Sequence, residues 1–369
     1  PESYLTEAEA LFEQGKLLQA IDVYKEAIRV RPDDPTIHVA LARVQVFAGQ
    51  YEDAQVSAED ALLLNPNNSM AHAVRAWALD FQGNYLEAEA AIKRALELDP
   101  NNAMAHAYYA EILADSYIFG TGAFDALERA AEESRVALAL APNALESHRA
   151  RGYILEVTGN YEEAIREYQA AIAINENIAD LHLALGRNYR ALGVYDKAVE
   201  EFTRANALNP TDPTPDLLIS RTYATIGEYA KASQYAEQAV KDNPTDPVLH
   251  GNLGVMYYHN FQWAEAVQEL AYVVHGGVTE DGQTVSPLEL TNDVRVAEYY
   301  FTYGLVLARL NRCGEALPVF QMILAKIPGN EIAVFNAQEG IRLCEENLTI
   351  TPTPTPVLTA TPASPTPAE

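Results

Sequence analysis

Apolar and small residues recur along this chain at helical spacing, and the pattern itself recurs. Gly-x-Tyr appears as Gly49-Gln50-Tyr51, Gly83-Asn84-Tyr85, Gly159-Asn160-Tyr161, Gly193-Val194-Tyr195 and Gly227-Glu228-Tyr229, after an opening Gly15-Lys16-Leu17. Uninterrupted neighbours are 34 residues apart. Three residues after each aromatic position stands an alanine: Ala20, Ala54, Ala88, Ala164, Ala198 and Ala232. Seven further on stands another: Ala27, Ala61, Ala95, Ala171, Ala205 and Ala239. A proline then closes the unit, as at Pro32, Pro66, Pro100, Pro142, Pro210, Pro244 and Pro328. The glycine permits a sharp turn after a first helix. The alanines let a second, antiparallel helix approach closely, the aromatic fills the space beside them, and proline ends the pair.

A period of this kind predicts an array of helix pairs. These residues resemble the tetratricopeptide repeat over roughly residues 1–346, as nine repeats: 1–34, 35–68, 69–102, 103–144, 145–178, 179–212, 213–246, 247–296 and 297–330. The eighth has Phe261 for its glycine but keeps Trp263 and Ala266; the ninth has Asn311, Cys313, Ala316 and Phe320. Residues 331–346 read as a capping helix, which solenoids require at their ends. The resemblance implies an all-α, right-handed superhelical solenoid, and residues 347–369 follow it as an extended tail. Two insertions break the period, near 115–126 and 275–293. The first is aromatic (Tyr117, Phe119, Phe124), and the second carries Glu280-Asp281-Gly282-Gln283, a hairpin-turn sequence. Both read as tolerated loop growth, the aromatic one with the sharper alternative of a contact surface.

The family's concave surface, lined by first helices, commonly holds an extended peptide or a partner helix. Ninth positions of the repeats are Glu9, Arg43, Trp77, Glu111, Tyr153, Arg187, Arg221, Val255 and Leu305, with Phe47, Phe81, Arg149, Arg190 and Tyr258 beside them. The candidate groove set is Arg43, Trp77, Arg149, Tyr153, Arg187, Arg190, Arg221 and Tyr258. Arg149, Arg187, Arg190 and Arg221 suggest capture of a carboxylate. The competing reading is that they pair with neighbours such as Glu156 and Asp180. The Lys/Asn carboxylate clamp known in the family has no counterpart here.

The net charge of −27 disfavours nucleic acid and anionic membrane surfaces as partners. No apolar run reaches the roughly 18 residues of a membrane span. The chain opens at Pro1 without a signal-peptide pattern, as expected of a processed N-terminus. Six of eight histidines (His38, His72, His106, His148, His182 and His250) share the fourth repeat position. Successive packed helices are about 8–10 Å apart, too far for ligands to share a zinc ion, so these histidines read as packing residues. No nucleophile, phosphate-loop or dinucleotide motif stands out, and neither catalysis nor a cofactor or metal is expected.

Cys313 should open the second helix of repeat nine and Cys344 end the cap helix, with Pro328-Gly329 midway between them. Antiparallel packing brings them to one end, predicting a disulfide; the alternative is two separate buried thiols. A disulfide implies an oxidising compartment.

Residues 351–369 contain six Thr-Pro or Ser-Pro pairs and predict a polyproline II-like segment reaching roughly 60 Å. Thr349, Thr351, Thr353, Thr355, Thr359, Thr361, Ser364 and Thr366 are candidate O-glycosylation positions, and Asn67 and Asn347 begin N-glycosylation sequons. Together these features suggest an extracellular or bacterial cell-surface scaffold whose partner is another copy of itself. It would assemble head-to-tail with the tail on a neighbour. The alternative is a monomeric adaptor holding another protein's peptide, with the tail as spacer.

Overall fold

In the computed structural model of the protein, residues 2–349 are described. The described residues divide into two compact units, the first ending at Thr222 and the second beginning at Tyr223. Unit 1 holds α1 (Glu2–Glu13), α2 (Leu17–Val30), α3 (Pro35–Phe47), α4 (Tyr51–Leu64), α5 (Ser69–Phe81) and α6 (Tyr85–Leu98). It continues through α7 (Ala103–Ile118), α8 (Ala126–Leu140), α9 (Leu145–Val157), α10 (Tyr161–Ile174), α11 (Ala179–Ala191) and α12 (Tyr195–Leu208). The boundary falls within α13 (Thr214–Thr225). Unit 2 continues with α14 (Tyr229–Asp242), α15 (Pro247–His259), α16 (Trp263–His275), β1 (Gly277–Val278), β2 (Thr284–Val285), α17 (Val294–Arg309), α18 (Cys313–Lys326) and α19 (Glu331–Thr349). Each unit is an all-α solenoid of antiparallel pairs.

The repeat chemistry explains the turns. Gly15, Gly49, Gly83, Gly159, Gly193 and Gly227 have positive φ. The following amide reaches back to a carbonyl five residues earlier, as in Lys16 N to Leu11 O and Asn84 N to Leu79 O, both 2.9 Å. This is the left-handed closure that satisfies orphan carbonyls at a helix end. Repeats eight and nine keep the geometry without glycine: Phe261 and Asn311 sit at φ 62° and 60°. The backbone plan therefore overrides a missing glycine.

Core packing is close around Phe320, which is fully buried. Gly304 on α17 and Gly340 on α19 face its ring from two sides, and a Cβ at either would overlap it. The aromatic insertion extends α7 to 16 residues, and Phe119 (64%) and Phe124 (101%) project into solvent. The second insertion forms the antiparallel pair Gly277↔Val285 and Val278↔Thr284, with Gly282 at φ 80° in its turn. Buried Val285 and Leu290 anchor it. Hydrogen bonds from Leu288 N to Val273 O and from the Tyr300 hydroxyl to Leu288 O tie it to α16 and α17.

The histidines form a ladder of another kind. In each of the six, Nε2 faces a backbone carbonyl six residues earlier, such as Pro100 for His106 and Pro244 for His250. In four, Nδ1 faces a glutamate: Glu133 at 2.5 Å from His106, Glu167 and Glu201 at 2.7 Å from His148 and His182, and Glu269 at 2.6 Å from His250. For His106 and His250 burial acts to lower the pKa, yet the glutamate and carbonyl bonds outweigh it and raise it.

Cys313 and Cys344 are joined as a disulfide, Cα atoms 5.5 Å apart, fastening α19 to the start of α18.

Candidate functional site

The inner wall of unit 1 is built by α3, α5, α7, α9 and α11. Arg149 on α9 is at its centre. Its Nη1 donates to both oxygens of Glu111 on α7, at 2.6 and 2.5 Å, and its Nε donates to Asp180 at the start of α11, at 3.1 Å. The guanidinium lies 5.2 Å from the centre of the Trp77 ring and 5.8 Å from that of Phe81. Glu111 is 3% exposed and also accepts from the Trp77 indole at 2.9 Å. Burial raises its pKa, against the pull of Arg149 and Trp77. Its oxygens accept from Arg149 and from the Trp77 indole, so the carboxyl group is satisfied by donors on both sides.

The same pairing recurs around it. Arg187 donates to Glu156 at 2.8 Å, and the Tyr168 hydroxyl donates to the same carboxylate at 2.9 Å. Arg43 donates to Glu146 at 2.5 Å and lies over Phe12 and Phe47. Arg190 and Arg221 are half-buried and engaged as well. Thus Arg149 and Arg187 pair with the neighbours Asp180 and Glu156, and no bare row of guanidinium groups faces the groove. Trp77 is 1% exposed and stacks on Tyr108, making it part of the core at the groove floor. In unit 2, the Tyr258 hydroxyl accepts from Arg309 at 3.1 Å.

A second carboxyl cluster lies beside Arg149 and gathers Asp80 and Asp115 around Tyr153, a candidate groove position. The Tyr153 hydroxyl donates to Asp115. Asp80, 3% exposed, is hydrogen-bonded to Asp115, and its Oδ1 is buried without a partner. Burial first, then the Asp115 charge, lifts Asp80 well above the ordinary carboxylate range. A hydrogen bond between two carboxyl groups needs a proton on one of them, and burial favours that neutral form.

Two cavities adjoin here. The larger, about 580 Å³, is bounded by the turns after α1, α3, α10 and α12 and by Tyr51, Phe81, Arg149, Asp180 and Leu183. The smaller, about 150 Å³, shares Phe81, Arg149 and Asp180 with it and adds Glu111, Asp115, Tyr153 and Arg187. Tyr51 and Phe81 stack at 4.7 Å on the wall of the larger cavity. The first repeat closes that cavity: the side-chain amides of Asn175 and Asn177 donate to Phe12 O at 3.3 Å and Glu13 O at 2.9 Å.

The candidate sequon residue Asn67 is exposed in the turn between α4 and α5. Asn347 and Thr349 belong to α19, but their side chains are not among those described. Thr351, Thr353, Thr355, Thr359, Thr361, Ser364 and Thr366, and the polyproline II-like segment containing them, lie outside the described residues. Among the described residues no helix is long and apolar enough to cross a membrane.

Tetratricopeptide repeat family models match residues 11–78, 69–102, 179–212 and 217–276, and a TPR repeat model matches 158–188. The chain belongs to the tetratricopeptide repeat family, whose members are protein-interaction scaffolds. Among solved structures it is similar to a human IFIT1 dimer with PPP-AAAA, at 16% identity over 93% of this chain and 82% of that one, with TM-score 0.59. A Pseudomonas aeruginosa pilF structure is 21% identical over 56% of this chain and 90% of its own, at TM-score 0.47. A tetratricopeptide repeat protein from Parabacteroides merdae is 16% identical over 69% and 98%, at TM-score 0.44. These likenesses concern the fold alone. No curated protein sequence matches the chain.

Proposed function

We propose that this chain is a non-catalytic scaffold outside the reducing cytosol whose first unit holds an extended segment of a partner protein. The cavity of about 580 Å³ carries the reading. It combines a stacked aromatic wall, Tyr51 on Phe81, with polar turns able to hydrogen-bond a peptide backbone. That is the chemistry of extended-peptide recognition. The Cys313–Cys344 bond supports an extracellular or cell-surface location. Peptides selected from a displayed library on the purified chain test the proposal. They should lose affinity on Phe81→Ala and keep it on Phe335→Ala, an exposed change on α19. Selected peptides indifferent to Phe81→Ala would refute it.

The homopolymer with an O-glycosylated tail on a neighbour is the second form of this scaffold. Its support is the composition of residues 351–369. Electron microscopy and intact mass, with and without residues 351–369, decide it: filaments lost on truncation and a mass above that of the bare chain favour it, unchanged particles and mass oppose it.

A further inference from the structure

The structure assigns the small polar pocket of unit 1 to a cationic side chain, an ammonium or guanidinium, of the partner segment. The inference rests on the groove reading above and reverses the anion-binding expectation that arginines invite.

The charge count decides the sign. Two bases, Arg149 and Arg187, line the pocket. Glu111, Asp115 and Asp180 line it too, and Glu156 holds Arg187 from beside it. Asp80 and Asp115 are hydrogen-bonded to each other, so that pair is counted once. Four acidic groups, that pair counted once, therefore stand against two basic ones. Arg149 is shared between Glu111 and Asp180, and Arg187 is occupied by Glu156. An incoming anion would meet guanidinium groups already bonded to carboxylates, with surplus negative charge around them. An incoming cation meets Asp180, whose side chain is 52% exposed at the mouth. Burial opposes ionisation of Asp180, but Arg149 and Arg187 outweigh it and lower its pKa.

Size and walls agree. A volume of about 150 Å³ equals roughly five waters by their share of the liquid, enough for one cationic head and part of its stem. Phe81, 40% exposed, offers apolar surface to the methylenes where this pocket meets the larger cavity. Among the described residues no three histidines, cysteines or acids converge in the way a metal ion requires.

Calorimetric titration of the full chain tests this with three probes: the N-acetyl methylamides of arginine, lysine and glutamate. The two cationic probes should bind, and the glutamate probe should not. Asp180→Asn should weaken the cationic probes on the order of tenfold with the helical fold retained at the titration temperature, and Phe335→Ala should leave them alone. Should Asp180→Asn fold poorly, Ala184→Met, which fills the pocket without removing a charge, must abolish binding. Preference for the glutamate probe, or equal affinity in Asp180→Asn or Ala184→Met, overturns the proposal. Library peptides that depend on Phe81 but lack Lys and Arg would sink it and leave the groove reading standing. Cationic probes that bind while no library peptide depends on Phe81 would uphold the pocket and sink the peptide groove.

Discussion

The two units use one repeat plan to make opposite interiors. In unit 1 the ninth positions are charged or hydrogen-bonding, and Arg43, Glu111 and Arg187 join ion pairs linking residues 31 to 103 positions apart. In unit 2 the same position holds Val255 and Leu305, and the core runs through Leu253, Tyr299, Tyr303, Leu307 and Phe320 to the disulfide. The Arg and Lys ion pairs described there, such as Arg312–Glu315 and Arg342–Glu339, are surface pairs, the kind that contributes little. A solenoid repeat thus fixes helix spacing and leaves the inner wall free. Unit 1 uses that freedom for a costly polar wall, and unit 2 for ordinary burial with a staple.

The sharpest way to break this contrast is Arg149→Met. Glu111 would remain buried without its cation, and unit 1 should lose about 3–5 kcal/mol while unit 2 is unchanged. Denaturant unfolding followed by hydrogen exchange separates the two; equal loss in both units would end the distinction. Replacing both partners, Arg149→Met with Glu111→Gln, should recover much of the loss.

Removing the staple should act on the other side. Reduction, or Cys313→Ser, should cost about 3–4 kcal/mol in the chain-entropy account, read as faster amide exchange confined to α18 and α19. A smaller penalty, about 1–3 kcal/mol, is expected for Gly340→Ala, whose methyl would overlap the Phe320 ring. A lowered melting transition for unit 2 alone is the readout.

The smallest effect is shared by both units. His106 and His250 have raised folded pKa values. Their stabilisation is therefore complete below the unfolded histidine value of 6.5 and is lost as pH rises through the higher folded value. Glu269→Gln should cost about 1 kcal/mol at pH 6 and progressively less on going to pH 8. A constant difference across that range would show that His250 does not carry the proton.

The fold was legible because its signal is repeated: glycine, alanines and proline return every 34 residues, so one ambiguous copy is corrected by the others. Phe261 shows the benefit, since its neighbours fix the register that its own residue type obscures. The partners of the inner wall were less legible. Asp180 and Glu156 were nameable as alternatives because they lie one repeat from Arg149 and Arg187. Glu111 was placed on the wall but not recognised as the buried partner of Arg149, 38 positions away, because the first insertion breaks the period between them. The glutamates of the histidine ladder were missed although a signal exists. Glu167, Glu201 and Glu269 each follow their histidine by 19 residues, and Glu133 follows His106 by 27, with the eight inserted residues between. The Asp80–Asp115 hydrogen bond could not be read at all, because it depends on burial that no local pattern encodes.

The bonds from Asn175 and Asn177 to the carbonyls of Phe12 and Glu13 reach across 163 and 164 residues. Linear arrays ordinarily fray from an end, because each repeat answers only to its neighbours. Here the terminal repeat is tied to the turn between the fifth and sixth, so peeling it away also undoes a long-range contact. The first six repeats should then melt as one cooperative block, and form late, because closing so long a loop comes after the local pairs have folded.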